Sequence, residues 1–292
     1  MEENIMDDSE INRMRFYKIV KHNSLVESIM PYLDEKTQEK YEPSLQEGKV
    51  QEYILSKIKK EVGITVPEHG LEIEFSLYEY CKVCGLQING KIYADIKGAL
   101  QNLATHGYWY DNNGISFYFT WIVTPVIDRN KGIITVTIPK LVTKYLCNLD
   151  GNYTEYRLIN ILKLVSNHTK ILFELFHAAL FRSEQTYTIE YLRNRLGLQD
   201  KYTISNDFKR YVIDKSVKEI NAKTDLLVTY NVIRKMRSIV GFKFKIKKKS
   251  SLDEAIIANE TTYALGSYPK EKYECAKDYY LESKKREHEI IE

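Results

Sequence analysis

Two spacings in this chain could do chemistry by themselves. Cys81-Lys82-Val83-Cys84 has the spacing of half a zinc site or of a redox pair. A structural zinc needs four ligands, and neither a second Cys-x-x-Cys nor a paired histidine follows. The expectation is two small side chains buried on a helix. Gly85-Leu86-Gln87-Ile88-Asn89-Gly90-Lys91-Ile92 is one residue away from a phosphate-binding loop, but Ile92 stands where the motif needs the hydroxyl that holds magnesium. A helix rather than a strand is expected before it, so it reads as a turn between two helices. The six His have no His-x-His or HExxH spacing, and the 23 Tyr form no cluster that marks a nucleophile. No catalytic residue, metal ligand or cofactor is expected, and the chain reads as a binding protein rather than an enzyme.

The remaining chemistry is electrostatic. Residues 1–150 carry 17 Lys+Arg against 21 Asp+Glu, residues 151–250 carry 20 against 9, and residues 251–292 carry 6 against 10. A net charge of only +3 therefore hides one strongly basic module between two acidic segments. Such a module attracts a polyanion, because each cation set against a phosphate releases condensed counterions. Within it, Asp207–Leu226 phases as an amphipathic helix. Phe208, Val212, Ile213, Ser216, Val217 and Ile220 span one face; Arg210, Asp214, Lys218 and Asn221 lie opposite, with Tyr211 and Lys215 beside them. Lys209 phases with the apolar face but sits in the first turn. Ser205 or Asn206 can cap the helix, since their side-chain oxygens accept from free amides. A helix of this kind fits the major groove, with Arg210 the candidate for a bidentate contact to guanine. A solvated helix face would explain these charges equally well, and the next segment tips the balance. Arg234-Lys235-Met236-Arg237 falls between two strands, where cations can straddle a phosphate backbone, and Lys243, Lys245 and Lys247 alternate along the return strand.

These residues need elements to position them. Val50–Val62, Phe75–Cys84 and Ile92–Thr105 have helical spacing, and Ile115–Val123 and Gly132–Ile138 are rich in β-branched and aromatic residues, joined by a turn at 128–132. Three helices and a hairpin are the layout of a winged helix. The order repeats: helices at Thr169–Arg182, Thr188–Leu196 and from 205 to about Lys223, then strands Asp225–Asn231 and Ile239–Lys247 with Ile233–Ser238 as the tip. The joint is expected near Leu149–Val165. The longest apolar stretch, Ile171–Phe181, is broken by Glu174 and His177 and is far short of the ~20 residues of a membrane span. Four cysteines are too sparse for a disulfide scaffold and the acidic amino terminus has no secretory pattern, so a cytoplasmic protein is expected.

The stretch Tyr187–Lys247 resembles the initiator (Rep) proteins of iteron-containing bacterial plasmids. The residues that carry the resemblance are YTIEYLRNRLGL, then DFKRYVIDKSVKEINAKTDLLVTY, then IRKMRSIVGFKFKI. Residues 45–150 match more loosely. Tyr211 is a departure, standing where many such proteins are more basic, and it bears on which bases are read. The resemblance implies an α+β chain of two tandem winged-helix domains, 1–150 and 151–250, and the polar, acidic composition after Lys249 adds a mobile tail, 251–292. It implies that the carboxy-terminal domain reads repeated origin sites in double-stranded DNA, while the amino-terminal one adds backbone contacts and builds a homodimer in exchange with monomer. Origin opening and recruitment of host replication proteins, a helicase and an initiator, would follow. The expected DNA-binding residues are Ser205, Asn206, Lys209, Arg210, Asp214, Lys218, Arg234, Lys235, Arg237, Lys243 and Lys245.

Two alternatives stay open at this point. A winged-helix transcriptional repressor shares every local signal, and autorepression could coexist with initiation. A nucleotide-driven enzyme acting on DNA is disfavoured by the failed phosphate loop. For the dimer, Phe117, Tyr118, Phe119 and Trp121 are the expected interface, because a strand apolar on both faces needs cover on both. The second winged helix of the same chain could supply that cover instead.

Overall fold

The computed structural model describes residues 7–31, 41–58, 65–251, 257 and 265. The chain opens with α1 (Asp8–Arg15), β1 (Lys18–His22), α2 (Asn23–Ser28) and the short β2 (Ile29–Pro31). The first winged helix follows as α3 (Leu45–Ser56), β3 (Leu71–Ser76), α4 (Leu77–Cys84) and α5 (Gly90–Thr105). Strand β3 was not expected, although its sequence alternates: Ile73 and Phe75 are buried, and Glu72 and Glu74 are exposed. It displaces the start of the helix expected from Phe75. Ser76 instead caps α4, its hydroxyl accepting from the Glu79 amide at 2.9 Å.

The aromatic stretch after α5 folds differently from the expectation. Strand β4 (Tyr108–Asn112) turns at Asn113-Gly114 into β5 (Ile115–Phe119). Both turn residues have positive φ, 51° and 77°, as a two-residue hairpin turn requires. The chain breaks at residues 120–122 and a second hairpin forms, β6 (Val123–Asp128) with β7 (Ile133–Ile138). The single strand expected over Ile115–Val123 is thus split, and only its last residue pairs with β7. The cause is local: an Asn-Gly turn pairs Ile115–Phe119 with the strand before it.

Between the two modules run the helical turn α6 (Lys140–Thr143), β8 (Tyr153–Arg157) and the turn α7 (Ile159–Leu162). Strand β8 pairs antiparallel with β1, from Lys18 opposite Arg157 to His22 opposite Tyr153, so the joint itself carries sheet structure. The second winged helix comprises α8 (Asn167–Ala179), β9 (Glu184–Thr188), α9 (Ile189–Leu196), α10 (Ser205–Phe208), α11 (Asp214–Lys223), β10 (Leu226–Lys235) and β11 (Ser238–Lys248). A π turn over Lys209–Ile213 joins α10 to α11 into one helix. The acidic tail expected at 251–292 lies outside the described residues apart from Ser251, Ile257 and Leu265.

The two modules share one wiring. Their sheets have the orders β3-β7-β6 and β9-β11-β10, all antiparallel. The first carries an insertion, β4–β5, which pairs with β2 in a separate sheet of order β2-β4-β5.

Four buried charges join β1, α3 and α8. Lys21 on β1 lies 2.7 Å from Glu52 on α3 and 3.1 Å from Glu174 on α8. Lys170 on α8 lies 3.0 Å from Glu52 and 2.7 Å from Glu174. Two ammonium groups and two carboxylates thus close a neutral square, and Tyr156 donates to the remaining Glu52 oxygen at 2.8 Å. Burial alone would raise the Glu174 carboxyl, but Lys170 and Lys21 outweigh it and hold it at about 2. Helix α1 is tied to α4 in its turn. Buried Arg15 donates to the Val83 carbonyl at the end of α4 (2.8 Å) and to the carbonyl of Leu265 (3.4 Å).

Candidate nucleic-acid interface

Helix α10–α11 lies over the sheet of the second winged helix because its apolar residues recur at the right spacing. Phe208, Val212, Ile213, Ser216, Val217 and Ile220 are all buried, and Phe208 faces Phe242 of β11. The opposite side presents Asn206, Arg210, Tyr211, Lys215 and Lys218 to solvent. Among the described residues Arg210, Lys215 and Lys218 have no acidic partner. Neither Ser205 nor Asn206 caps the helix. Ile204 occupies the cap position without a side-chain bond, which places Ser205 and Asn206 inside the first turn.

The π turn sets residues five apart over one another. Lys209 Nζ lies 2.8 Å from Asp214 Oδ2, and the Tyr230 hydroxyl of β10 donates to the other oxygen of Asp214. Asp214 and Tyr230 hold the Lys209 ammonium in its charged form by raising its pKa. Lys209 and Asp214 therefore satisfy each other and brace the helix against the sheet, whereas Arg210 projects outward.

The wing is longer and its tip tighter than the sequence suggested. Strands β10 and β11 pair from Leu226 opposite Lys248 up to Lys235 opposite Ser238, leaving only Met236 and Arg237 in the turn. Met236 is 95% exposed with φ 56°. The register shifts after Ile233, a bulge that bends the hairpin while Arg234 and Lys235 stay paired. Arg234 donates to the Arg237 carbonyl at 3.1 Å, and Lys235 and Arg237 are exposed.

Lys243, Lys245 and Lys247 alternate with buried Phe242, Phe244 and Ile246. Since Phe242 and Phe244 face the helices, the three lysines lie on the outer face of the sheet. Lys243 is 2.6 Å and Lys245 3.5 Å from Glu184 on β9, and Lys243 draws that carboxyl below its usual range. The structure therefore brings the helix cations together on one face and the strand lysines together on another, with the wing tip at the end of the hairpin. Glu184, Tyr211, Lys215 and Tyr230 are absent from the expected set. Lys215 and Tyr211 phase beside Arg210 in the sequence, but the pairing of Glu184 needed the position of β9.

In the first module, Phe119 and Trp121 are buried, at 5% and 2% exposure. Trp121 lines a cavity of about 20 Å³ together with Lys170 and Glu174 of α8 and Arg195 of α9. The break after β5 turns it away from the strand face on which it was expected. Phe119 packs on Tyr108 and Trp121, and Phe117 stacks on Tyr110 at 4.7 Å. Cover for these rings comes from this chain, while Tyr118, 43% exposed, pairs with exposed Trp109 on the outer side. Cys81 and Cys84 are both buried on α4, and burial pushes their thiols up to about 11 and about 12.

A basic helix over a three-stranded wing, repeated in layout within one chain, defines a tandem winged-helix DNA-binding protein. A family model described as "Initiator Replication protein, WH1" matches residues 18–177, and one described as "Initiator Rep protein, WH2" matches residues 188–246. The chain belongs to this initiator replication protein family: it is a plasmid replication initiator with two winged-helix domains. Proteins of the family are generally DNA-binding initiators rather than classical enzymes. Among solved structures, domains 2 and 3 of RctB are similar at 10% identity. One such structure covers 60% of this chain and 73% of its own at a TM-score of 0.37; another covers 63% and 77% at 0.36. Among the described residues no helix is long and apolar enough to cross a membrane.

Proposed function

We propose that this initiator binds repeated sites in its plasmid origin through the second winged helix, with α10–α11 in the major groove and the 234–237 tip on the flanking backbone. The observation that carries this reading is the set of outward cations on that helix, Arg210, Lys215 and Lys218, without acidic partners among the described residues. Arg210 has the donors for a bidentate contact to guanine, and Lys218 and Asn206 flank it. Binding energy and assembly, rather than a catalytic side chain, then open the origin and recruit a host helicase and initiator in the cytoplasm. A homodimer in exchange with monomer fits the outer side of the β4–β5 hairpin, where Trp109 and Tyr118 stand exposed on the edge sheet. Tyr118→Asp is expected to shift the protein toward monomer. Sedimentation across a concentration series checks it, and an unchanged dimer fraction in a folded variant removes this hairpin as the interface. The test of the whole reading is plasmid maintenance. An origin kept only when the wild-type gene is supplied, and lost with Arg210→Ala, supports it; maintenance independent of the gene overturns it.

A further inference from the structure

Tyr211 directly follows the candidate guanine-reading arginine and is 41% exposed, an aromatic ring on a face otherwise polar and cationic. The Arg210 guanidinium carbon lies 5.3 Å from the centre of its ring, and the Lys215 ammonium 5.2 Å from the same centre. Arg210 and Lys215 are five residues apart across the π turn, as are Lys209 and Asp214, and the two cations approach one ring. Like charges brought so close would repel and splay apart. A ring that both cations approach offsets the repulsion through its negative face and holds both. The ring is itself supported: Tyr202 stacks on it at 6.1 Å and 30°, and Arg193 of α9 fixes that turn by donating to the carbonyls of Tyr202 and Thr203.

We infer that Tyr211 is a positioning residue whose ring holds Arg210 and Lys215 as a preset pair, and so governs which site the helix prefers. The inference rests on the proposed groove-reading role of α10–α11. Its physical basis is entropic. Arginine and lysine lose more rotamer freedom than almost any other side chain when they are immobilised on DNA. A ring that already restrains both reduces that loss and fixes where the guanidinium fork points.

The test uses the full chain and a duplex enriched by the wild type from a random-sequence pool. Tyr211→Leu, which keeps bulk and removes the ring, is expected to weaken binding to that duplex roughly five- to twentyfold, as the cost of ordering two long side chains on DNA should. Tyr211→Phe, which keeps the ring, is expected to stay within about twofold of wild type. In an Arg210→Ala background, Tyr211→Leu should lose most of its effect, because one of the held cations is gone. Circular dichroism melting confirms that each variant is folded. Three results overturn the inference: Phe as damaging as Leu, which would make the hydroxyl a direct contact; a Leu effect undiminished without Arg210; or no Leu effect at all. A wild type that enriches no duplex overturns the groove-reading role together with this inference, whereas the first three results leave that role standing.

Discussion

In both winged helices a strand runs straight into an eight-residue helix, α4 or α9, that starts on a hydroxyl cap and stops on a glycine. Ser76 and Thr188 accept from the amide three residues on, and Gly85 and Gly197 end the helices with φ of 66° and 70°. These conformations cost a β-carbon dearly, which is why glycine closes both turns. The third helices then diverge. Helix α5 is regular, capped by Asn89, and presents Lys91, Ala94, Asp95, Lys97 and Gln101. Helix α10–α11 contains a π turn and presents Arg210, Tyr211, Lys215 and Lys218. Shared wiring thus fixes where a helix is held, and the residues that pattern leaves free decide what it can read.

The largest expected effect lies where β1, α3 and α8 meet. Glu174→Ala leaves Lys21 and Lys170 with half their compensation in a buried site and should destabilise the chain by about 3–5 kcal/mol. Urea unfolding checks this, and a loss no larger than that of a surface substitution would show that the square contributes little to stability. The same carboxylate predicts an acid limit. Its folded pKa of about 2 lies below the ordinary 4.5, so its contribution is complete above about pH 4.5 and is lost as the pH falls toward 2. Glu174→Gln should flatten the stability profile across that window.

Next come the third helices themselves. Arg210→Ala is expected to cost about 1–3 kcal/mol at the cognate duplex and to relax preference at one position. Lys97→Ala, on the matching helix of the first module, should leave site preference as it was. Equal losses of preference in competition binding would erase the contrast between the two helices.

Capping offers a symmetric check. Ser76→Ala and Thr188→Ala should each cost about 1 kcal/mol, since each leaves one amide without its acceptor. A large difference between their melting shifts would show that one cap has other support. The smallest effect is expected at the wing tip. Arg237→Ala should weaken all duplexes alike and reduce the salt slope of binding by about one, as loss of a phosphate contact does. A change in site preference instead would assign the tip to base reading.

Much of this was legible without coordinates. The helical repeat of Phe208, Val212, Ser216 and Ile220 is a local property, so the buried and outward faces of α10–α11 follow from the sequence, as does the alternation of Lys243, Lys245 and Lys247. The basic centre between acidic ends, and with it the class of partner, is likewise a matter of composition. Pairing was harder to read, because it depends on which of several eligible strands meets another. Asn113-Gly114 carried a hairpin signal that reassigned Ile115–Phe119 and sent Trp121 inward. Glu184 meets Lys243 and Lys245 only because β9 lies beside β11. The square of Lys21, Glu52, Lys170 and Glu174 draws on residues up to 153 positions apart, and no local pattern marks them as partners. What repeats within a turn or a strand was settled by the sequence. What joins distant segments waited on the tertiary structure, where burial makes an unpaired charge costly and so selects its partner.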